Sequence, residues 1–412
     1  MFRQNKVLTQ KQMAMLLAMM IAIMPFSIDA YLPALTKIAA SLNTNIYYIE
    51  RSLSSFIFGA AIGQIIGGSL SDIKGRRNIA LIGLGIYVVS SLLLIGVQNA
   101  GQLLTIRIIQ AIGAGMSAVT VGAIVRDNYQ GREAAQMFVM IGIVAMTAPL
   151  LSPLIGSFLE SLGGWRSIFA FLSAYGLFLV FTLFFFLPQN KKAEPIRLAQ
   201  LKHIGTRYIF VLKNWAAMGF LAYQAASFSV IVIFFSESPF VYMDLYGLTS
   251  HQYAWLFASN VIVMMLCNRF SAWALKRDWA LRDLLRLGLL IQFISNSAAL
   301  LLVLLLKQPP LFWLAPLIVI AIGAQGLISA NTSALFMSNY KPKVGGSANA
   351  VLSSSQSLIS ALVGFFTTML HNGTILVMVG MMFAVMCIGL ILLYYFSGNQ
   401  VFTHKLRSHN IN

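Results

Sequence analysis

Twelve stretches of roughly twenty mostly apolar residues follow one another along this chain with little between them, and they limit its fold more than any motif does. A hydrocarbon core about 30 Å thick takes about 20 residues of α-helix to cross. The stretches lie near 12–33, 49–70, 78–98, 102–124, 136–158, 167–187, 214–238, 251–274, 284–306, 312–337, 346–369 and 374–396. Helix satisfies every backbone group within its own segment, which a lipid environment demands. Hydrophobic residues make up 58% of the chain, charged residues 9%, and the mean hydropathy is +0.80, far outside the range of soluble globular proteins. The expected fold is therefore an all-α polytopic membrane protein.

Orientation follows from the basic residues, which collect in cytoplasmic loops. An even number of spans puts both termini on one side, and 23 of the 28 Lys and Arg residues fall there. The opposite loops hold Lys37, Arg51, Arg166 and Lys307, and Arg107 lies inside a span. Both termini are expected in the cytoplasm. The +17 net charge needs no nucleic-acid partner once topology explains it, and anionic lipid headgroups are its expected neighbours. Arg3, Lys6 and Lys11 before an apolar run imitate a secretory signal, but Asp29-Ala30-Tyr31-Leu32-Pro33 offers no small-residue cleavage site, so an uncleaved first helix is expected. Cys267 and Cys387 fall within or at the edge of spans and act as small hydrophobes rather than a disulfide framework or metal site.

The longest polar interruption begins at Pro188 and runs to Lys213, dividing the spans six and six. The expected organisation is an N-terminal six-helix bundle over 1–187, a cytoplasmic linker over 188–213 and a C-terminal six-helix bundle with a short tail over 214–412. Two features suggest that the halves repeat. The second span of each empties into a basic loop, Lys74 to Arg77 and Lys276 to Arg286, and at an offset of 208 Pro149, Pro153 and Gly156 fall opposite Ser357, Ala361 and Gly364.

An ionisable group inside a span is costly enough to mark function. Asp29 stands four residues before Pro33, and burial of a carboxyl favours its neutral form, so Asp29 is read as a proton carrier. The alternative is an interfacial aspartate wetted from outside. Arg107 is expected at similar depth, where an arginine must be paired or hydrogen-bonded, and Asp29 is its obvious partner. Glu237, beside Ser238-Pro239 at the expected end of span seven, is a possible second carboxyl if the helix keeps it from water. Uncharged polar groups inside spans include Gln64, Gln110, Tyr223, Gln224, Asn260, Gln325, Asn331 and Gln356. Each either joins helices or faces substrate. Twenty Met residues and 12% aromatics could line a pliable apolar cavity. Pro149, Pro153 and Gly156 give span five one small, bendable face.

Between spans two and three stands Gly68-Ser-Leu70-Ser-Asp72-Ile-Lys74-Gly75-Arg76-Arg77. Its Gly68, Leu70, Asp72, Gly75, Arg76 and Arg77 resemble the signature loop of the major facilitator superfamily, with Ile73 where a basic residue is usual. Arg107-Ile-Ile-Gln110-Ala-Ile-Gly113-Ala-Gly115 is similar to that family's fourth-helix motif, whose arginine is tied to proton coupling. Ala148-Pro149-Leu-Leu-Ser-Pro153-Leu-Ile-Gly156 resembles its antiporter pattern. Asp29-Ala-Tyr31-Leu32-Pro33, Arg126-Asp127, Gly164-Trp165-Arg166 and Ser238-Pro239-Phe240 resemble the Bcr/CflA subgroup of drug exporters, with Ala30 replacing a common methionine and Glu237 where a small residue is usual.

The resemblance implies a major facilitator fold of twelve helices in two bundles and proton-coupled multidrug efflux by alternating access across a bacterial cytoplasmic membrane. Asp29 and Arg107 would couple protons, Tyr31 and Gln110 would join the other polar groups as cavity candidates, and the Gly68–Arg77 loop would brace the cytoplasmic side. The expected partners are a small-molecule drug, protons and lipid; no cofactor or metal is expected, and the protein is expected to be a monomer. Two rivals remain. A transporter of one metabolite, such as a siderophore, sugar or amino acid, would often carry more polar cavity groups. A membrane enzyme would need a clustered catalytic set, whereas His203, His251, His371, His404 and His409 all fall at loops, helix ends or the tail without metal-ligand spacing. No Gly-x4-Gly-Lys-Ser/Thr loop for a nucleotide is present.

Overall fold

The computed structural model describes residues 8–129, 131–187, 206, 208–340 and 344–402. Fourteen α-helices among the described residues form twelve membrane-length spans. The first span comprises α1 (Gln10–Asp29), a 3₁₀ turn (Leu32–Ala34) and α2 (Leu35–Ser41). Then come α3 (Ile46–Lys74), α4 (Arg76–Ile95), α5 (Ala100–Asn128), α6 (Gly131–Gly163) and α7 (Trp165–Phe186). The second set begins with α8 (Trp215–Pro239), α9 (Ser250–Leu275) and α10 (Leu281–Leu306). Its tenth span is the pair α11 (Leu311–Gly323) and α12 (Gln325–Met337), followed by α13 (Gly345–Met369) and α14 (Ile375–Val401). Residues 188–205 and 207 of the expected linker lie outside the described residues.

Two spans run further than the sequence suggests. Pro33 was expected to end the first, but it stands at the start of the 3₁₀ turn, where its missing N–H costs nothing. The chain therefore continues helically to Ser41, and Asp29 lies twelve residues from the span's end rather than about four. Span seven likewise passes Pro239 through a π-helical turn (Phe240–Leu245). Glu237 is consequently well inside it and fully buried. Gly75, with φ at +90°, makes the sharp turn from α3 to α4 that the signature motif requires.

Most helix pairings in the first six spans have a counterpart six spans later. Span one packs on span five as α1 on α6, and span seven packs on span eleven as α8 on α13. Span three packs on four and six as α4 on α5 and α7, matched by α10 on α12 and α14. The halves meet through α3 against α13 and α6 against α9. Large apolar side chains such as Leu93, Phe185, Leu305 and Ile391 stay exposed on the outer faces, where lipid would cover them.

Small residues set the closest approaches, as expected where lipid supplies no hydrophobic drive between helices. Gly59, Gly63 and Gly67 bring α3 against the backbone of α5 at Ile108, Ile112 and Met116. The two glycines aligned at the 208-residue offset are both contact points. A Cβ on Gly156 of α6 would lie 1.9 Å from the Ala30 carbonyl oxygen, and one on Gly364 of α13 would meet Ser54 and Val232 at 2.5 and 2.7 Å. Gly156→Val should therefore push α6 off the α1 break and destabilise the protein by about 1–3 kcal/mol, the usual cost of overpacking. Gly142→Ala, which meets open space on the same helix, is the control. A melting temperature measured in detergent that falls for Gly156→Val alone fits this packing; equal values for both variants would refute it.

Candidate functional site

The two halves enclose a cavity of about 1000 Å³ between α1, α3, α5 and α6 on one side and α8, α9, α12 and α13 on the other. It reaches from Asp29, Pro149, Phe234 and Phe257 to Gly68, Ser71, Arg76, Arg126 and Asn349 at the end of the bundle that carries the termini. Apolar and aromatic side chains dominate its deep part, including Met24, Phe228, Phe235 and Met264. Asp29 is the only carboxylate lining it among the described residues.

The break in α1 presents Asp29. The helix ends there, the chain turns at Ala30 and Tyr31, and the close contact of Ala30 with Gly156 fixes the turn against α6. The side chain is 2% exposed and its Oδ1 has no hydrogen-bond partner among the described residues. An unsatisfied buried carboxylate oxygen is expensive, so a proton or a cationic ligand group would be held here.

Arg107 is not the ionic partner of Asp29 that the sequence suggests. It is fully buried on α5, where Nη1 donates to Gln110 Oε1 at 2.8 Å and Nη2 to the Ser27 carbonyl at 2.9 Å. Its guanidinium lies 4.7 Å over the ring of Tyr31, 4.4 Å over Phe56 and 6.0 Å over Phe169. The reason is the same break in α1. A helix that stops leaves its last four carbonyls without intrahelical donors and its end partially negative. Ser27 is one of those residues, and Arg107 caps it. Gln110 passes the arrangement on by donating to Ser91 at 2.8 Å, and the Ser27 hydroxyl lies 2.7 Å from that of Tyr87. Arg107 thus positions the turn that carries Asp29.

The other sequence candidates divide into two groups. Asn260 and Gln356 line the cavity, as do Gln64 and Gln325. Gln224 stands just behind, donating to Gln356 and Ser329 at 3.0 Å each. Tyr31, Gln110, Tyr223 and Asn331 do not line it. Ser52 donates to the Tyr31 hydroxyl at 3.1 Å, Gln110 donates to Ser91 at 2.8 Å, Tyr223 donates to Gln292 at 2.7 Å, and Asn331 donates to Ser271 at 2.9 Å, so all four join helices. Glu237 is also away from the cavity: its Oε2 lies 2.9 Å from His371 Nδ1, and both side chains sit beside Glu50. Glu50 and His371 were missed as site residues because Glu50 stands at the very start of its apolar stretch, beside Arg51, and His371 lies between two stretches. His371, read as isolated, in fact meets two carboxylates.

The signature loop borders the mouth of the cavity, closer to any ligand path than a brace alone requires. Arg76 donates to Asp127 at 3.1 Å and to Ser71 at 2.7 Å; Arg77 donates to the Phe184 carbonyl and lies over its ring. These bonds tie α4 to α5 and α7. The Asp72 side chain lies outside the described residues. Pro149 faces the cavity, and α6 runs unbroken through both Pro149 and Pro153.

The sequence model of the Major Facilitator Superfamily matches residues 15–365. A bicyclomycin resistance protein homolog of Haemophilus influenzae is 28% identical over 373 residues, 90% of this chain and 92% of that protein. A chloramphenicol resistance protein of Pseudomonas aeruginosa is 30% identical over 63% of this chain and 61% of its own length. Multidrug resistance protein MdtL of Citrobacter koseri is 27% identical over 62% and 65%. Among solved structures, the peptide transporter POT superimposes with a TM-score of 0.75 at 14% identity, covering 94% of both chains. A D-xylose–proton symporter gives 0.71 at 16% identity over 93% of this chain and 97% of its own. These last two speak for the fold alone.

Proposed function

The chain belongs to the Major Facilitator Superfamily, and from that membership and the cavity we propose that it exports amphipathic drugs in exchange for protons. Its setting is a bacterial cytoplasmic membrane, with both termini in the cytoplasm because the basic loops lie on their side. The cavity then opens to the cytoplasm, where drug enters. One observation carries the reading: Asp29, with an unpartnered buried oxygen, is the single carboxylate among the described residues that line a mostly apolar cavity. The names of the resistance-protein relatives support the substrate class.

Asp29 would take a proton when the cavity faces outward and give it up when the cavity faces inward and drug binds, drug and proton each weakening the other's binding by about tenfold or less. Arg107 holds the α1 turn through both states. The halves rock about the α3–α13 and α6–α9 contacts. Each charge moved yields about 2.3 kcal/mol per 100 mV of membrane potential, and no cofactor is required. The working unit is a monomer.

Expression in cells lacking their own efflux pumps tests this. Tolerance to several unrelated drugs should rise and be lost on adding a protonophore. Unchanged tolerance, with one metabolite appearing in the medium instead, would favour a dedicated metabolite exporter.

A further inference from the structure

Opposite the cavity mouth, three side chains far apart in sequence converge. Glu50 comes from the first turns of α3, Glu237 from the last turn of α8 and His371 from the segment after α13. One ligand atom from each lies within 4.8 Å of the other two. Both carboxylates are fully buried. Glu237 Oε2 is satisfied by His371, but both oxygens of Glu50 and Oε1 of Glu237 have no hydrogen-bond donor among the described residues. Tyr47 stacks on the imidazole and Phe240 meets it edge-on at 4.4 Å, so its plane is fixed by packing.

We propose that Glu50, Glu237 and His371 bind a divalent transition-metal ion of the zinc class, clamping the two halves at the end of the bundle away from the cavity mouth. Two carboxylates buried together can both ionise only if a cation offsets their combined charge of −2, which the apolar surroundings cannot screen. A divalent ion neutralises it while leaving the imidazole uncharged as a ligand. Imidazole with carboxylates suits zinc and its neighbours, whereas magnesium prefers oxygen ligands and keeps its water. Metal–ligand bonds of about 2.0–2.2 Å place neighbouring ligands about 3–4 Å apart, so small rotations of Glu50 complete the site. Because Glu50 belongs to the first six spans and the other two ligands to the second six, a bound ion must be released before that end can open. The proposal does not depend on what the cavity carries.

The test uses full-length protein with its affinity tag removed, stripped with a chelator and titrated with Zn²⁺ by calorimetry in detergent. One ion should bind per chain, and binding should weaken at least tenfold in Glu50→Gln and in His371→Ala, while His251→Ala, an exposed control, binds like wild type. Co²⁺ loaded into wild type should give a visible spectrum of nitrogen and oxygen ligation without a thiolate band, a readout that needs no variant. Mg²⁺ should not compete. Absence of stoichiometric Zn²⁺ binding to wild type, or binding unchanged in both ligand variants, would overturn the site. So would Co²⁺ ligation by sulfur, which would place the metal on Cys267 or Cys387. If this end closes with falling pH alone, indifferent to chelator and Zn²⁺, protons and not a metal occupy the cluster and the proposal fails. Asp29→Asn should bind Zn²⁺ normally, so failure of the export reading leaves this result interpretable.

Discussion

Asp29→Asn protein is expected to fold, to bind drug and to fail to move it uphill. In proteoliposomes with an imposed pH gradient, drug accumulation by this variant should fall to the level of empty vesicles. Asparagine matches aspartate in shape and cannot carry a proton. The surrounding turn is held by backbone contacts, Arg107 on Ser27 and Gly156 under Ala30, neither of which uses the Asp29 side chain. Drug affinity should therefore change by no more than about tenfold, equivalent to about 1.4 kcal/mol. The split between intact binding and lost accumulation separates a proton carrier from a residue that merely shapes the cavity; a variant that has lost both would argue for the second role.

Substitution of Arg107 should cost both stability and transport, in a graded order. Arg107→Met keeps much of the volume but removes two charge-assisted hydrogen bonds, each worth about 1.5–3 kcal/mol, and strands the Ser27 carbonyl and Gln110 in the core. Arg107→Lys keeps the charge as a single compact point and cannot span both acceptors while lying flat against Tyr31 and Phe56. Melting temperature and accumulation rate should both rank wild type above lysine and lysine above methionine. Had Arg107 instead formed the ion pair with Asp29, the lysine variant would retain nearly full function and Asp29→Asn would be as unstable as Arg107→Met. Equal stability of Asp29→Asn and wild type, together with a damaged lysine variant, is the outcome that favours the helix-capping role.

What could be read from the chain depended on whether a local cue existed. Apolar run length gave twelve spans, because span length follows from the solvent. Asp29 and Arg107 stood out because charge inside an apolar run has few uses. Their relation did not, because the acceptor that Arg107 finds is a carbonyl freed by the break at Ala30, and backbone vacancies leave no mark on side-chain pattern. Pro33 pointed to a disturbance nearby but suggested an end where the chain turns and continues. The polar candidates separated poorly for a related reason. Helices apolar on every side offer no periodicity to tell a cavity face from an interhelical face, so Asn260 and Asn331 looked alike although one lines the cavity and the other binds Ser271. Glu50 was passed over because it is the second residue of the stretch over 49–70, where its neighbours Asn43, Asn45, Tyr47, Tyr48 and Arg51 make that edge resemble a loop.

The central claim is that drug binding displaces a proton from one carboxylate, and proton release on drug binding measures it most directly. Purified protein in weakly buffered detergent solution, mixed with a drug to which it confers tolerance, should acidify the medium, and the Asp29→Asn protein should bind the same drug without any pH change. Equal proton release from both proteins would contradict the account, because the proton displaced would then come from somewhere other than Asp29.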